Sequence, residues 1–328
     1  MIVFENPADV PPGFGPSVVA IGKFDGVHSG HRAVIDRARV DAAGLGARVV
    51  AVTFDRNPLS LLRPEVCPED LVGVEQKLAL LADAGVDATL LLKFDTDLAS
   101  MPPREFVETI LRDALAARTV LVGEDFRFGH RGAGTPEYLT EIGAEMGFDV
   151  QVVGDVRAVD AGRRVSSTWI REALTEGDVA TASRLLGRTH SVEGEVVHGL
   201  KRGRELGFPT ANLSEDLAGF VPAEGVYAGW LIDHGAVDPG ADRAPARNAR
   251  RSIRYPAAIS IGTNPTFDDV VTRQVEAYVL DETGLDLYGH MVEVQFVSRV
   301  RGMTAFAGIE ALIEQIADDV VKVRAALA

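Results

Sequence analysis

The feature that most constrains the fold is a glycine-rich turn between an apolar run and a helical pattern. Residues 18–21 are apolar, residues 22–31 read Gly-Lys-Phe-Asp-Gly-Val-His-Ser-Gly-His, and a helix is predicted from residue 30. A strand, a glycine turn and a helix in this order direct backbone N–H groups and the positive end of a helix dipole at an anion. His28 and His31 add side-chain donors that can stabilise negative charge. The turn therefore predicts a phosphate-binding, nucleotide-handling site.

Apolar runs alternate with helical patterns through the first half of the chain. Strands are predicted at residues 17–22, 47–54, 88–94, 119–123 and 148–153, and helices at residues 30–43, 74–84, 103–116 and 135–146. The strands lack polar alternation, which is typical of a parallel sheet covered by helices on both faces. Ligands bind at the carboxyl ends of strands in such sheets. The glycine-rich turn, residues 55–58 and residues 123–126 all follow such ends.

The periodicity changes near residue 187. Before it, Ser-Ser-Thr at residues 166–168 is expected to cap a pair of short helices. After it, short β-type runs are separated by glycine, proline and charged turns, which predicts an antiparallel barrel or sandwich. The predicted helices are at residues 169–175, 178–186 and 305–326, and the strands at 190–197, 225–232, 256–261, 274–281 and 290–300. We therefore expect two domains, residues 1–186 and 187–328, with a mobile hairpin loop at residues 233–252.

Composition narrows the classes of function. The chain of 328 residues has 33 basic and 48 acidic residues, a formal net charge of -15. Such a surface disfavours nucleic acid and anionic membranes as partners. The single Cys67 excludes an intrachain disulfide and a multi-cysteine zinc site, which suits a reducing compartment. With neither a signal peptide nor an apolar run long enough to span a membrane, we expect a cytoplasmic protein. The sequence leaves the oligomeric state open, a homo-oligomer included.

Two further motifs point to phosphate chemistry. Residues 164–171 read Arg-Val-Ser-Ser-Thr-Trp-Ile-Arg, and hydroxyl groups at a helix start between two arginines suit a triphosphate, although the hydroxyls alone would serve equally as a helix cap. Residues 198–212 read His-Gly-Leu-Lys-Arg-Gly-Arg-Glu-Leu-Gly-Phe-Pro-Thr-Ala-Asn. This stretch combines a glycine-rich cationic flap, residues 199–204, with side-chain oxygens of the kind that bind Mg²⁺ together with substrate phosphates.

These motifs resemble those of the bacterial bifunctional riboflavin kinase/FMN adenylyltransferase (FAD synthetase) family. Residues 22–31 look like the signature of the nucleotidyltransferase superfamily, which implies a Rossmann-like domain with a parallel sheet. By this resemblance, His28 and His31 contact the phosphates of ATP while the phosphate of FMN attacks the α-phosphorus and pyrophosphate leaves. The resemblance implies that the nucleotide is bound by Gly22, Phe24, Asp25, Gly30, Asn57, Asp125, Arg164, Ser167, Thr168 and Arg171.

Residues 198–212 resemble the riboflavin kinase signature, which implies an antiparallel β-barrel domain with a C-terminal helix. By this resemblance, Thr210 and Asn212 hold Mg²⁺ and ATP phosphate, and Glu276 is the general base that takes the proton of the ribityl 5′-hydroxyl. A lone glutamate on a strand is more often a solvated side chain, but its place after Ile-Gly-Thr-Asn-Pro-Thr-Phe at residues 261–267 favours the catalytic interpretation. The flap implied to close over the nucleotide contains Gly199, Gly203 and Arg204.

Two positions depart from the family's pattern. Asn57 stands where the family usually has the histidine of Phe-x-Pro-His-Pro, and Asp125 where it usually has the asparagine of Gly-x-Asn-Phe. Asn57 can still donate a hydrogen bond, whereas an ionised Asp125 repels phosphate unless a metal or an arginine bridges them, and Arg56 is a candidate to compensate. We expect synthesis of FMN from riboflavin and of FAD from FMN. The alternatives are a riboflavin kinase with a degenerate adenylyltransferase half, and a flavin-binding regulator without chemistry, which Glu276 disfavours.

Overall fold

A computed structural model describes residues 1–155, 157, 162–199, 207–236, 252–263, 273–282 and 284–328. The chain divides into two compact units, of which the first comprises Met1–Asp70 and Val74–Ser166, and the second Leu71–Gly73 and Ser167–Ala328. This division falls before the helix pair that the sequence analysis assigned to the first domain. The pair belongs to the second unit because its second helix packs against barrel strands. The domain boundary at residue 187 stays a prediction.

The first unit is built on a parallel sheet. Its strands in the described residues are β1 (Ile2–Phe4), β2 (Ser17–Ile21), β3 (Arg48–Phe54), β4 (Ala88–Leu92), β5 (Ala117–Gly123) and β6 (Asp149–Val153). They lie in the order β1-β4-β3-β2-β5-β6, and every neighbouring pair is parallel. The predicted parallel sheet is confirmed. The edge strand β1 was not predicted, because three residues are too few to display a periodicity.

Helices cover the sheet of the first unit. They are α1 (Ser29–Leu45), α2 (Leu59–Leu62), α3 (Val74–Asp83), α4 (Thr96–Ser100), α5 (Pro103–Phe106), which continues as the π-helical segment Val107–Ala114, and α6 (Pro136–Met146). Apolar side chains from the strands and from the helices after β4 form one core cluster, which includes Val50, Leu90, Ile110 and Leu139. Burial of these side chains stabilises the sheet.

The strand order determines where the ligand-facing loops meet. The strands β3, β2 and β5 are neighbours, with β2 in the middle. Because carboxyl ends of parallel strands lie at the same edge of a sheet, the glycine-rich turn is flanked by the loop after β3 and the loop after β5. Asn57 and Asp125 lie in these two flanking loops.

The second unit is a closed antiparallel barrel with helices at both ends of its sequence. The barrel strands lie in the order β10-β11-β8-β7-β12-β9, and β9 pairs with β10 to close it. The elements are α7 (Ser167–Glu176), α8 (Val179–Leu186), β7 (His190–Val197), β8 (Thr210–Leu213), β9 (Gly225–Ala236), β10 (Ile253–Thr263), β11 (Arg273–Val279), β12 (His290–Arg301) and α9 (Ile309–Leu327). The structure thus has the barrel rather than the sandwich.

Close strand approach in the barrel requires a glycine at residue 229. A Cβ atom there would lie 1.9 Å from the backbone oxygen of Gln295. The predicted loop at residues 233–252 begins too early, because residues 233–236 continue β9, in which Asp233 pairs with β10 and β12 and Ala236 pairs with β12. The rest of that loop up to residue 251 lies outside the described residues. No helix in the described parts of the chain is both long enough and apolar enough to cross a membrane.

Candidate active sites

The glycine-rich turn has a backbone that tertiary packing must hold in place. Phe24, Gly26 and Val27 have φ angles of 49°, 77° and 39°. A non-glycine residue in this region costs about 1–3 kcal/mol. The side chains of Phe24 and Val27 are 1% and 0% exposed, so their burial offsets that cost. The predicted strand, turn and helix are all present, and Gly22 and Asp25 lie in this turn.

The two histidines of the turn lie against each other. Their ring centroids are 3.7 Å apart, with 17° between the ring planes. The Nδ1 of His28 accepts a hydrogen bond from the backbone N–H of His31 at 3.4 Å and caps α1, so a neutral His28 ring carries its proton on Nε2. Gly30 gives this stack room, since a Cβ there would lie 3.0 Å from Cε1 of His28.

His31 is held in its neutral form. Burial lowers its pKa well below the usual value, and the electrostatic effects of His28 and Arg164 act in the same direction. Part of the side chain reaches the surface, but Nδ1 is buried and has no hydrogen-bond partner in the described part of the protein. Such a ring offers hydrogen bonds to a phosphate rather than a permanent charge.

Arg164 supplies the positive charge that Asp125 requires. Its guanidinium donates to the carboxylate of Asp125, and its Nε lies 2.9 Å from the carboxylate of Asp155. The hydrogen bond with Asp125 is the main reason why the pKa of Arg164 is raised. The arginine that bridges Asp125 is therefore Arg164 and not Arg56, whose guanidinium lies 3.3 Å from Asp55.

Asn57 uses its side-chain oxygen locally. The Oδ1 atom accepts a hydrogen bond from the backbone N–H of Leu59 at 3.1 Å, which satisfies a donor in the first turn of α2. Within the described residues, the side-chain amide group of Asn57 keeps its two N–H donors for a ligand.

The phosphate motif at residues 164–171 spans the division between the two units. Arg164 belongs to the first unit, whereas Ser167, Thr168 and Arg171 lie in α7, which belongs to the second. We define the turn site by the residues grouped at this edge of the first unit: His28, His31, Asn57, Asp125 and Arg164.

The second group of polar side chains lies across two barrel strands. Asn212 pairs with Glu276, and Thr210 pairs with Tyr278, in the antiparallel register of β8 and β11. The hydroxyl of Thr210 donates to Glu276 Oε2 at 3.2 Å. The amide of Asn212 donates to Thr210 Oγ1 at 3.3 Å and accepts from Gln274 Nε2 at 3.1 Å. These residues form the barrel site.

Glu276 has the electrostatic character of a proton acceptor. Burial raises its pKa, and the hydrogen bond from Thr210 partly opposes this shift. A carboxylate with a raised pKa is a stronger base. Gly199 borders the same site, because a Cβ at this residue would lie 2.5 Å from Oδ1 of Asn212. The other two flap residues, Gly203 and Arg204, lie outside the described residues.

Two residues that orient site side chains were not predicted from the sequence. Gln274 holds the oxygen of Asn212, and its spacing of two residues from Glu276 on a strand placed both on one face of the sheet. That spacing was a usable signal. Asp155 holds Arg164, and no pattern in the sequence pointed to it.

Comparisons with known proteins agree in both halves of the chain. A family model described as FAD synthetase matches residues 12–169, and one described as riboflavin kinase matches residues 186–327. The bifunctional riboflavin kinase/FMN adenylyltransferase of Escherichia coli K12 is 34% identical over 92% of this chain and 90% of its own length. The protein of the same name from Pseudomonas fluorescens is 37% identical over 94% and 92%.

A solved structure has the same fold over nearly the whole chain. It is a crystal structure from Streptococcus pneumoniae described as a macrolide-efflux protein, with a TM-score of 0.81 and 30% identity over 98% of each chain. Both family models, and the relatives that match over most of their length, indicate the same family. The chain belongs to the bifunctional riboflavin kinase/FMN adenylyltransferase family, and it is an enzyme with both of that family's domains.

Proposed function

We propose that riboflavin is phosphorylated at the barrel site and that the resulting FMN is adenylylated at the turn site. The observation that carries the first assignment is the hydrogen bond of 3.2 Å between Thr210 and Glu276. It places a hydroxyl group that can bind a metal ion next to a carboxylate that can act as a base. The assignment of the second rests on the stacked histidines and on Arg164.

In the kinase step, Glu276 accepts the proton of the ribityl 5′-hydroxyl. The hydroxyl oxygen then attacks the γ-phosphorus of ATP, the bond from that phosphorus to the β–γ bridging oxygen breaks, and ADP leaves. The raised pKa of Glu276 supports this role, because the carboxylate holds the proton more readily than an exposed one. The hydrogen bond from Thr210 orients the accepting group.

The barrel site also suits Mg²⁺. Thr210 offers a hydroxyl oxygen and Asn212 an amide oxygen, and hard oxygen donors beside substrate phosphates are what Mg²⁺ requires. The absence of a side chain at Gly199 keeps Asn212 in its place. When bound, Mg²⁺ neutralises phosphate charge, while Thr210 and Asn212 hold it.

In the adenylyl transfer, the turn site positions ATP and no side chain becomes covalently attached. A phosphate oxygen of FMN attacks the α-phosphorus, the bond to the α–β bridging oxygen breaks, and pyrophosphate leaves. His28, His31 and the N-terminal end of α1 donate hydrogen bonds to the charge that develops, and Arg164 offsets the carboxylate of Asp125. Contacts of Ser167, Thr168 and Arg171 with the triphosphate stay predictions, as do the cytoplasmic location and the oligomeric state.

The test separates the two reactions in one polypeptide. The protein is incubated with Mg·ATP and either riboflavin or FMN, and the flavins are resolved by chromatography. We expect Glu276→Gln to lower FMN formation by about 10²–10⁴-fold while FAD formation from added FMN persists. The matched control is Glu195→Gln, an exposed glutamate on β7 of the same barrel. Unchanged FMN formation in Glu276→Gln would remove this residue from the mechanism.

A riboflavin kinase without adenylyltransferase activity is the second candidate. Asn57 and Asp125 favour it, because they replace the residue types usual in the family. The pairing of Asp125 with Arg164 argues for the bifunctional enzyme. Accumulation of FMN with no FAD, even when FMN is the added substrate, would decide for the kinase alone.

A further inference from the structure

A buried lysine lies behind the turn site. Lys77, in α3, is 8% exposed, and its ammonium donates a hydrogen bond to the backbone oxygen of Phe54 at 2.7 Å. Lysine is rarely buried to this extent without a compensating partner. Three carboxylates of the first unit act on its charge, those of Asp25, Asp55 and Asp70.

The partners of Lys77 belong to two loops of the turn site. Phe54 is the last residue of β3, and Asp55 begins the loop that contains Asn57. Asp25 lies in the turn that leads to His28, and α3 packs against this turn. A single ammonium group therefore interacts with the end of β3 and with the glycine-rich turn at the same time.

The protein keeps this charge at a cost. Burial lowers the pKa of Lys77, and the attraction of Asp70, Asp25 and Asp55 only partly opposes that shift. An apolar side chain of similar length would avoid the cost, and buried charges are often replaceable without loss of stability. The charge of Lys77 therefore needs an explanation other than stability.

We propose that Lys77 is a positioning residue for adenylyl transfer, whose ammonium holds the end of β3 and the Asp25 turn in the arrangement that receives the triphosphate of ATP. This inference rests on the proposed function of the turn site. Lys77 is too enclosed to be a phosphate ligand itself, and its hydrogen bond is to a backbone oxygen. Its loss should therefore weaken the fit of ATP, which appears in KM more than in kcat.

Two substitutions separate the charge of Lys77 from its packing. Lys77→Met keeps a long apolar stem without the charge, and Lys77→Arg keeps the charge. The matched control is Lys93→Met, a lysine of the same unit whose side chain is 72% exposed. For FAD formation from FMN we expect the KM for ATP to rise about tenfold or more in Lys77→Met, with most of the loss recovered in Lys77→Arg. FMN formation by the barrel site of each variant is the internal control and should not change.

A pH profile gives a readout that a packing role would not move. In the wild type, the KM for ATP should rise at alkaline pH as Lys77 loses its proton, because its pKa is lowered and its attraction to Asp25, Asp55 and Asp70 is lost with the charge. The profile of Lys77→Arg should stay flat there, because a guanidinium remains charged. This comparison remains decisive if Lys77→Met fails to fold, which circular dichroism would reveal.

Three outcomes separate the claims. An unchanged KM for ATP in a folded Lys77→Met overturns the role of Lys77 but leaves the proposed function of the turn site intact. The same holds if the KM for ATP rises at the same alkaline pH in the wild type and in Lys77→Arg. Absence of FAD formation by the wild-type protein overturns the proposed function of the turn site, and the role of Lys77 with it.

Discussion

The guanidinium of Arg164 is hydrogen-bonded to the carboxylate of Asp125, next to the histidine pair of the turn site. A second carboxylate, that of Asp155, lies 2.9 Å from Nε of the same guanidinium. The acidic residue that stands in place of an asparagine thus has its own counter-ion, and a guanidinium with two carboxylate partners still carries further N–H donors for phosphate. This pair makes an active adenylyltransferase compatible with Asp125.

Removal of the Asp125 charge should strengthen the binding of ATP. In Asp125→Asn, Arg164 keeps its ion pair with Asp155, and its positive charge is no longer shared with a second carboxylate. We expect the KM for ATP in FAD formation to fall about three- to tenfold, a modest change because the pair is exposed and screened. Arg164→Met should raise this KM about tenfold. A higher KM in Asp125→Asn would mean that orientation of Arg164 outweighs repulsion of phosphate.

ATP binding at the turn site should take up a proton through His31. The pKa of this ring is lowered by burial and by His28 and Arg164, and a bound triphosphate would raise it because negative charge favours the protonated form. By linkage, the affinity for ATP rises as the pH falls from the pKa of the complex to that of the free site, by at most about tenfold per pH unit. Below both pKa values His31 is protonated with and without ATP, so it no longer makes the affinity for ATP depend on pH.

Calorimetry of ATP binding in buffers of different ionisation enthalpy measures this proton uptake. The difference between the wild type and His31→Asn isolates the turn site, because protonation of ATP itself and binding at the barrel site contribute equally to both proteins. Equal proton uptake by the two proteins would contradict the role given to His31.

Local patterns predicted most elements of the fold and both site motifs. The strand, turn and helix at residues 17–45 follow from near-neighbour sequence, and so does the alternation that produces the parallel sheet. The contacts that make the sites work join distant residues. Arg164 and Asp125 are 39 residues apart, and Thr210 and Glu276 are 66 apart. Such pairings depend on strand order and register, which periodicity does not encode.

Two details of the helices were not predicted from local patterns. The helical pattern at residues 103–116 continues through a π-helical segment, Val107–Ala114. The helix pair α7–α8 belongs with the barrel, although its sequence follows directly on the first half of the chain. The burial of Lys77 likewise could not be predicted, because a lysine on a helix is normally solvated.

Gly199 should be needed for kinase activity but not for stability. A Cβ atom there would lie 2.5 Å from Cγ and Oδ1 of Asn212, so the amide must move and give up its hydrogen bonds to Thr210 and Gln274. We expect Gly199→Ala to lower kcat/KM for FMN formation about ten- to a hundredfold. The thermal midpoint of this variant should stay close to that of the wild type, because the terminal amide of Asn212 can rotate away from the added Cβ without a shift of the backbone.

The control for Gly199→Ala is Gly284→Ala, in the same unit, where a Cβ would meet no atom of the described residues within 4 Å. FAD formation from added FMN should be the same in both variants. Full kinase activity in Gly199→Ala would show that the position of Asn212 is not critical.

The barrel should lose stability in mild acid because of His190. This side chain is 1% exposed, its Nε2 lies 2.7 Å from the backbone oxygen of Phe220, and burial is the main cause that lowers its pKa from 6.5 to about 4. The unfolded chain therefore binds a proton between these two values that the folded barrel does not. The stabilisation is complete above pH 6.5, is lost as the pH falls towards 4, and amounts to about 3 kcal/mol.

Tryptophan fluorescence can follow this transition in the second unit alone, because both tryptophans, Trp169 and Trp230, belong to it. Urea unfolding at a series of pH values should give a free energy of unfolding that falls between pH 6.5 and 4 in the wild type and in the exposed-histidine control His130→Gln. His190→Gln should have a lower free energy of unfolding at neutral pH. Between pH 6.5 and 4, however, its free energy of unfolding should fall less than that of the wild type, by most of the about 3 kcal/mol assigned to His190. An equal fall in all three proteins would assign the acid sensitivity to other groups, since only the proton of His190 distinguishes them.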